Sequence, residues 1–203
     1  MERIPRPAKE LRDQAARDKI LQAASTCVVR SGFHGASMAD IAKVASMSVG
    51  QIYRYFPSKE AIIHGIVERI VENRLKWIDS HDEPRARIPS RIAQHFVLGA
   101  ESESRDERVL MLEVVAEATR SPQVAQALRE ADDRLRAKGL EIIRRNYPKL
   151  SEQQTRGVIE LFAVLAEGTA VRRVTGLRGD EDTLVSTYTE VIRRMLPSKT
   201  QGG

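Results

Sequence analysis

Apolar positions along the chain recur mostly at spacings of three and four, the period of a helix with one buried face. Ile20, Ala23, Ala24, Cys27 and Val28 form such a stripe and predict a first helix over about 13–31, with Gly32 suited to the position just past its end. Ile62, Ile63, Ile66, Val67, Ile70, Val71, Leu75 and Ile78 predict a long helix over about 59–79. Between them lie two very short helices, 37–45 and 48–56, each announced by a serine three residues before a group that can reach back: Ser37 with Asp40, and Ser48 with Gln51. Helices this short are marginal alone and need a neighbour. Further helices are expected over 88–102, 105–119, 122–146, 151–175 and 180–196, opened by Ser121-Pro122, Ser151 with Gln154, and Asp180, and closed by Pro148, Gly176 and Pro197. The fold class is therefore all-α, with about nine helices. The low share of aromatic residues, 4%, agrees with this choice over a sheet protein.

Four segments follow from the pattern. Residues 1–12 hold Arg3, Arg6, Lys9 and Arg12 without a hydrophobic period and read as a basic arm. Residues 13–60 form a small domain containing the two short helices, 61–197 a larger helical domain, and 198–203 a tail. The loop at 80–86 is a further candidate boundary.

Charge narrows the function. Residues 1–60 carry 10 basic and 6 acidic residues, net +4, whereas 61–203 carry 23 and 22, net +1. No acidic residue lies between Ile41 and Lys59, a footprint that suits a polyanion. The single cysteine excludes an internal disulfide, and its place in the first stripe makes Cys27 a small core residue. His34, His64, His81 and His95 show no metal-ligand spacing, and no hydrolase, phosphate-loop or zinc-protease motif occurs. An enzyme, a cofactor and a metal are not expected. No apolar run is long enough for a bilayer and no leader pattern opens the chain, so no membrane partner is expected and the cytoplasm is the expected compartment.

Two capped short helices joined by a tight turn are a helix-turn-helix candidate. Ile41, Val44, Ala45, Val49, Ile52 and Phe56 supply its apolar contacts, and Ala42 allows a close crossing. Gly50, Gln51, Arg54 and Tyr55 then remain on the outer face of the second helix, with Tyr53 at its flank. Gln can pair with adenine, Gly lets backbone approach, and Tyr, Arg and Lys59 can hold phosphates. Tyr53 as a core aromatic and Gln51 as a capping residue alone are the competing readings.

The stretch Ser37, Ile41-Ala42, Ala45, Ser48, Gly50, Ile52-Tyr53, Tyr55-Phe56, Ser58-Lys59-Glu60 resembles the tetracycline-repressor (TetR) family of bacterial regulators over residues of about 15–65. The turn glycine of that pattern is Ser46 here, and the following valine is Met47. The resemblance implies that Gly50 and Gln51 meet base edges and that Ser37, Tyr53, Tyr55 and Lys59 meet phosphates. With Ser48 and Arg54, these are the candidate DNA-binding residues. It also implies a homodimer through helices 8 and 9, binding double-stranded operator DNA and released by a small-molecule effector.

The larger domain offers Trp77, Phe96, Met111 and Phe162 as aromatic or sulfur groups that line a pocket or fill a core. Glu113 and Glu117 fall one turn apart on an otherwise apolar helix. They pair internally, as with Arg120, or they wall a pocket that attracts a cation. The effector is expected to be cationic or hydrophobic.

Overall fold

A computed structural model describes residues 8–79, 84–99, 105–176 and 179–196. Nine α-helices and one 3-10 turn, Arg85–Arg87, make up the regular structure among these residues, with no strand. The helices are α1 (Ala8–Gly35), α2 (Met38–Ala45), α3 (Val49–Tyr53), α4 (Lys59–Asp79), α5 (Ile88–Leu98), α6 (Arg105–Ala118), α7 (Pro122–Asn146), α8 (Glu152–Thr175) and α9 (Glu181–Met195).

Helix α1 begins at Ala8, inside the stretch expected to be an arm. Its first turns are solvent-exposed, with Leu11 outward and Gln14 donating to Asp18 one turn on, so no apolar stripe marks them. Residues 1–7 of that arm and the tail 198–203 lie outside the described residues. Gly32 breaks α1 at φ 69°, the left-handed backbone that only glycine adopts without strain. Helix α5 stops at Leu98, where Gly99 takes φ 82°, and residues 100–102 of the expected helix lie outside the described residues.

The chain divides into two compact units, 1–70 with 109–129, and 71–108 with 130–203. The division therefore does not fall at 60/61. The first half of α4, most of α6 and the start of α7 belong with the helix-turn-helix. In the first unit Ile20, Ala24, Cys27, Ile41, Ile52 and Ile66 are buried almost completely. Burial pushes the Cys27 thiol up from its usual value, which makes it an inert core group. In the second unit Ile143, Tyr147, Val158, Ile159, Phe162 and Ile192 form the core, with α5 packed on α8 and α9.

Candidate functional site

Both short helices start as their sequence dictates. The Ser37 hydroxyl accepts from Asp40 N at 3.1 Å, and Asp40 Oδ2 accepts from Ser37 N at 3.2 Å and from its hydroxyl at 2.5 Å. These bonds to the Ser37 hydroxyl and then its backbone hold the Asp40 carboxyl below its ordinary range. Ser48 and Gln51 repeat the arrangement: Gln51 N donates to Ser48 Oγ at 3.1 Å and Ser48 N to Gln51 Oε1 at 2.7 Å. Between the helices, Ser46 takes φ 50° and ψ 48°, and the Ser46 and Met47 amides close the turn on Lys43 and Ala42 carbonyls. The left-handed turn that usually takes glycine is thus made by serine, at a cost of about 1 kcal/mol.

The packing differs from the expectation at two positions. Ile41, Ala42, Ala45, Ile52 and Phe56 are buried and lock the helices, but Val44 and Val49, expected among these contacts, are exposed. Tyr53 is 50% exposed, so it is no core aromatic. Gly50, Gln51, Tyr53 and Arg54 together form an outward face free of acids. A side chain at Gly50 would meet nothing within 4 Å, and its backbone is not left-handed, so nothing inside the chain requires glycine there.

Several expected contact groups are engaged internally. Tyr55 donates to Asp13 of α1 at 3.4 Å. Lys59 donates to the Phe33 and Ala36 carbonyls at 2.8 and 3.1 Å and lies 4.3 Å from the centroid of the Phe33 ring. It therefore braces the end of α1 against the start of α4. The carboxylate pair is placed just as locally. Phe33 N donates to Glu113 Oε2 at 3.2 Å, and the nearly buried Glu117 lies 3.1 Å from His34 Nε2 and 3.6 Å from Arg120.

The second unit holds a cavity of about 500 Å³, a volume suited to a small organic ligand. Trp77, Phe96 and Phe162 line it. Met111, Glu113 and Glu117 do not: they lie on the part of α6 that belongs to the first unit, where both carboxylates pair with the end of α1. The ligand-lining expectation for these three is corrected accordingly. Trp77 stacks on His95, ring centroids 4.1 Å apart, and Phe96 meets Phe162 edge-on at 6.0 Å. Burial, followed by Arg74, Arg91 and Arg173, pushes the His95 imidazole down to about 4, so it is neutral at pH 7. Sequence reasoning missed His95 and these guanidiniums. Arg91 and His95 sit one turn apart beside the apolar Ile88, Ile92 and Phe96, and this polar pair on a core-facing helix was the available signal.

Fold and geometry thus define a helix-turn-helix protein whose second unit holds an open, ligand-sized cavity. Residues 20–66 match the model of bacterial regulatory proteins of the tetR family, and residues 84–197 match that of the C-terminal part of BetI-type transcriptional repressors. The chain belongs to the tetR family of bacterial regulatory proteins. It is 35% identical to the HTH-type transcriptional regulator UidR of Escherichia coli (strain K12) over 123 residues, covering 57% of this chain and 58% of UidR. The chain thus spans less than two thirds of the curated relative it matches. Among solved structures, GusR of Salmonella enterica superposes with a TM-score of 0.76 at 24% identity, over 90% of this chain and 95% of that one. A transcriptional regulator from Saccharomonospora viridis in complex with choline gives 0.72 at 23%, over 88% and 96%.

Proposed function

We propose that this protein is a DNA-binding transcriptional regulator, a repressor that holds a near-palindromic operator as a homodimer and lets go when a small molecule fills the cavity. The observation that carries the reading is the outward face of α3: Gly50 with open space around it, Gln51, Tyr53 and Arg54, within a run from Ile41 to Lys59 that has no acid. A glycine that the chain itself does not need suits close approach by a nucleic-acid backbone. Gln51 keeps its amide nitrogen available while its oxygen serves the cap, so it reads a base as a donor. Tyr53 and Arg54 hold phosphates, and Ser37, Ser48, Tyr55 and Lys59 set the aim of α3 from behind.

The dimer is supported by α8. Gly157, Leu161, Val164, Gly168 and Val171 fall at alternating spacings of four and three along one face, and Leu161, Val164 and Val171 are exposed there, Val164 at 54%. Val191 of α9 is a further exposed apolar group. A stripe with this period buries itself against a partner helix, here a second copy. Half-sites one turn of duplex apart would call for two reading helices about 34–36 Å apart, one from each copy. The protein acts in the cytoplasm and is not an enzyme.

The test is selection of genomic DNA fragments retained by the protein, followed by Gln51→Glu. Glutamate preserves the capping acceptor and removes the donor. It should leave stability within about 0.5 kcal/mol and cost on the order of 1–3 kcal/mol at one operator position. An unchanged preferred sequence would remove Gln51 from base reading.

A further inference from the structure

We propose that the cavity of the second unit takes an organic anion, an aryl or alkyl body seated on Trp77, Phe96 and Phe162 with a carboxylate-type head held by Arg74, Arg91 and Arg173. This rests on the ligand-release reading above and specifies its ligand. Six cationic side chains line the cavity, Arg74, Arg91, Arg136, Lys138, Arg145 and Arg173, against three carboxylates, Asp79, Asp132 and Glu167. Two of those carboxylates are engaged by two of the cations: Asp79 lies 2.7 Å from Lys138, and Asp132 lies 2.5 Å from Arg136. The remaining acid, Glu167, is exposed.

Three of the cations converge on His95. The charged groups acting on this imidazole are Arg74, Arg91 and Arg173, from α4, α5 and α8. Two of the three are fixed by contacts: Arg91 lies 4.8 Å from the centroid of the Trp77 ring, and Arg173 donates to the Leu98 carbonyl. A guanidinium has five donors in a planar fork, so one partner does not exhaust it, and its shape matches a carboxylate. His95 Nδ1 is buried without a hydrogen-bond partner beside them. Guanidiniums that converge from three helices at the edge of an apolar space offer a planar carboxylate several donors at once. The same donors offer a cation nothing, and Glu113 and Glu117, acids that would suit one, lie in the first unit. The aromatic lining supplies the complementary surface for the ligand body.

Trp77 is the only tryptophan, so its fluorescence reports occupancy. The probes are 4-phenylbutyrate, 4-phenylbutyramide and 4-phenylbutylammonium, which share one apolar body and differ in head charge. The carboxylate should bind at least roughly tenfold tighter than the amide, more tightly still than the ammonium, and less tightly as salt rises. Arg74→Gln should weaken the carboxylate about tenfold and leave the amide unchanged, the amide serving as the check that the variant is folded. Equal or tighter binding of the amide or the ammonium, or no binding of the carboxylate up to about 10 mM, would overturn the proposal. Binding is read without DNA. A carboxylate that binds and leaves operator affinity unchanged would therefore refute ligand release and leave the anion site standing.

Discussion

Removing the Lys59 ammonium separates two roles that a sequence motif merges. A lysine that only touches phosphate contributes nothing to the stability of the free protein. Lys59, however, donates to two carbonyls, at 2.8 Å to Phe33 and 3.1 Å to Ala36, and covers the Phe33 ring at 4.3 Å. Hydrogen bonds to a charged group contribute about 1.5–3 kcal/mol each, and a cation over an aromatic face about 0.5–1 kcal/mol. The contributions overlap, and water replaces part of what is lost at a half-buried site. Lys59→Met, which keeps the apolar stem, should therefore destabilise the first unit by roughly 2–3 kcal/mol. Urea unfolding of the DNA-free protein, with the m-value unchanged, reads this directly. DNA affinity should fall as well, because the brace ties α1 to the start of α4 beside the reading helix. A loss of stability below about 0.5 kcal/mol together with weaker DNA binding would refute the brace and return Lys59 to the phosphate.

Two further predictions concern stability. His95 sits near 4 in the folded chain against 6.5 for the free side chain, so below 6.5 the unfolded chain binds more protons. Stability is thus lost as pH falls from about 6.5 towards 4, by on the order of 3 kcal/mol at most, and denaturation at pH 7 and 5 should show that slope vanish in His95→Gln. Gly65→Ala would set a methyl 2.9 Å from Leu21 Cδ2 and 3.1 Å from Phe56 Cε1, so overpacking of about 1–3 kcal/mol should outweigh the roughly 1 kcal/mol of helix propensity; a higher thermal midpoint in the variant would contradict this packing.

What the sequence made legible was local. Ser37, Ser48 and Ser151 each find the partner three residues on that the capping pattern names, because both halves of such a box lie within one turn. The long helices follow from apolar stripes. Where no stripe exists, as over 8–12 of α1, helix formation left no periodic signal. The face of α3 was readable because burial of Ile52 and Phe56 leaves few positions outward, although Val44 and Val49 broke the rule that apolar means buried. The cavity was not readable. Its cations come from α4, α5, α7 and α8, and only tertiary structure brings Arg74, Arg91 and Arg173 to one histidine. For Glu113 and Glu117 the sequence left internal pairing and a ligand wall both open: Arg120, three residues on, does lie 3.6 Å from Glu117, but Phe33 and His34 were out of reach of a local pattern because they lie some 80 residues away in sequence.

The most direct test of the central claim is titration of a selected duplex at several salt concentrations. If the basic, acid-free face of α3 binds DNA in two copies, each phosphate neutralised releases a counterion. The logarithm of the association constant should then fall linearly with the logarithm of salt concentration, by about 0.9 for every phosphate contacted, with a slope of about −5 for six contacts across the dimer. A slope near zero, or binding that stays tight as salt rises, would contradict the assignment of this face to DNA.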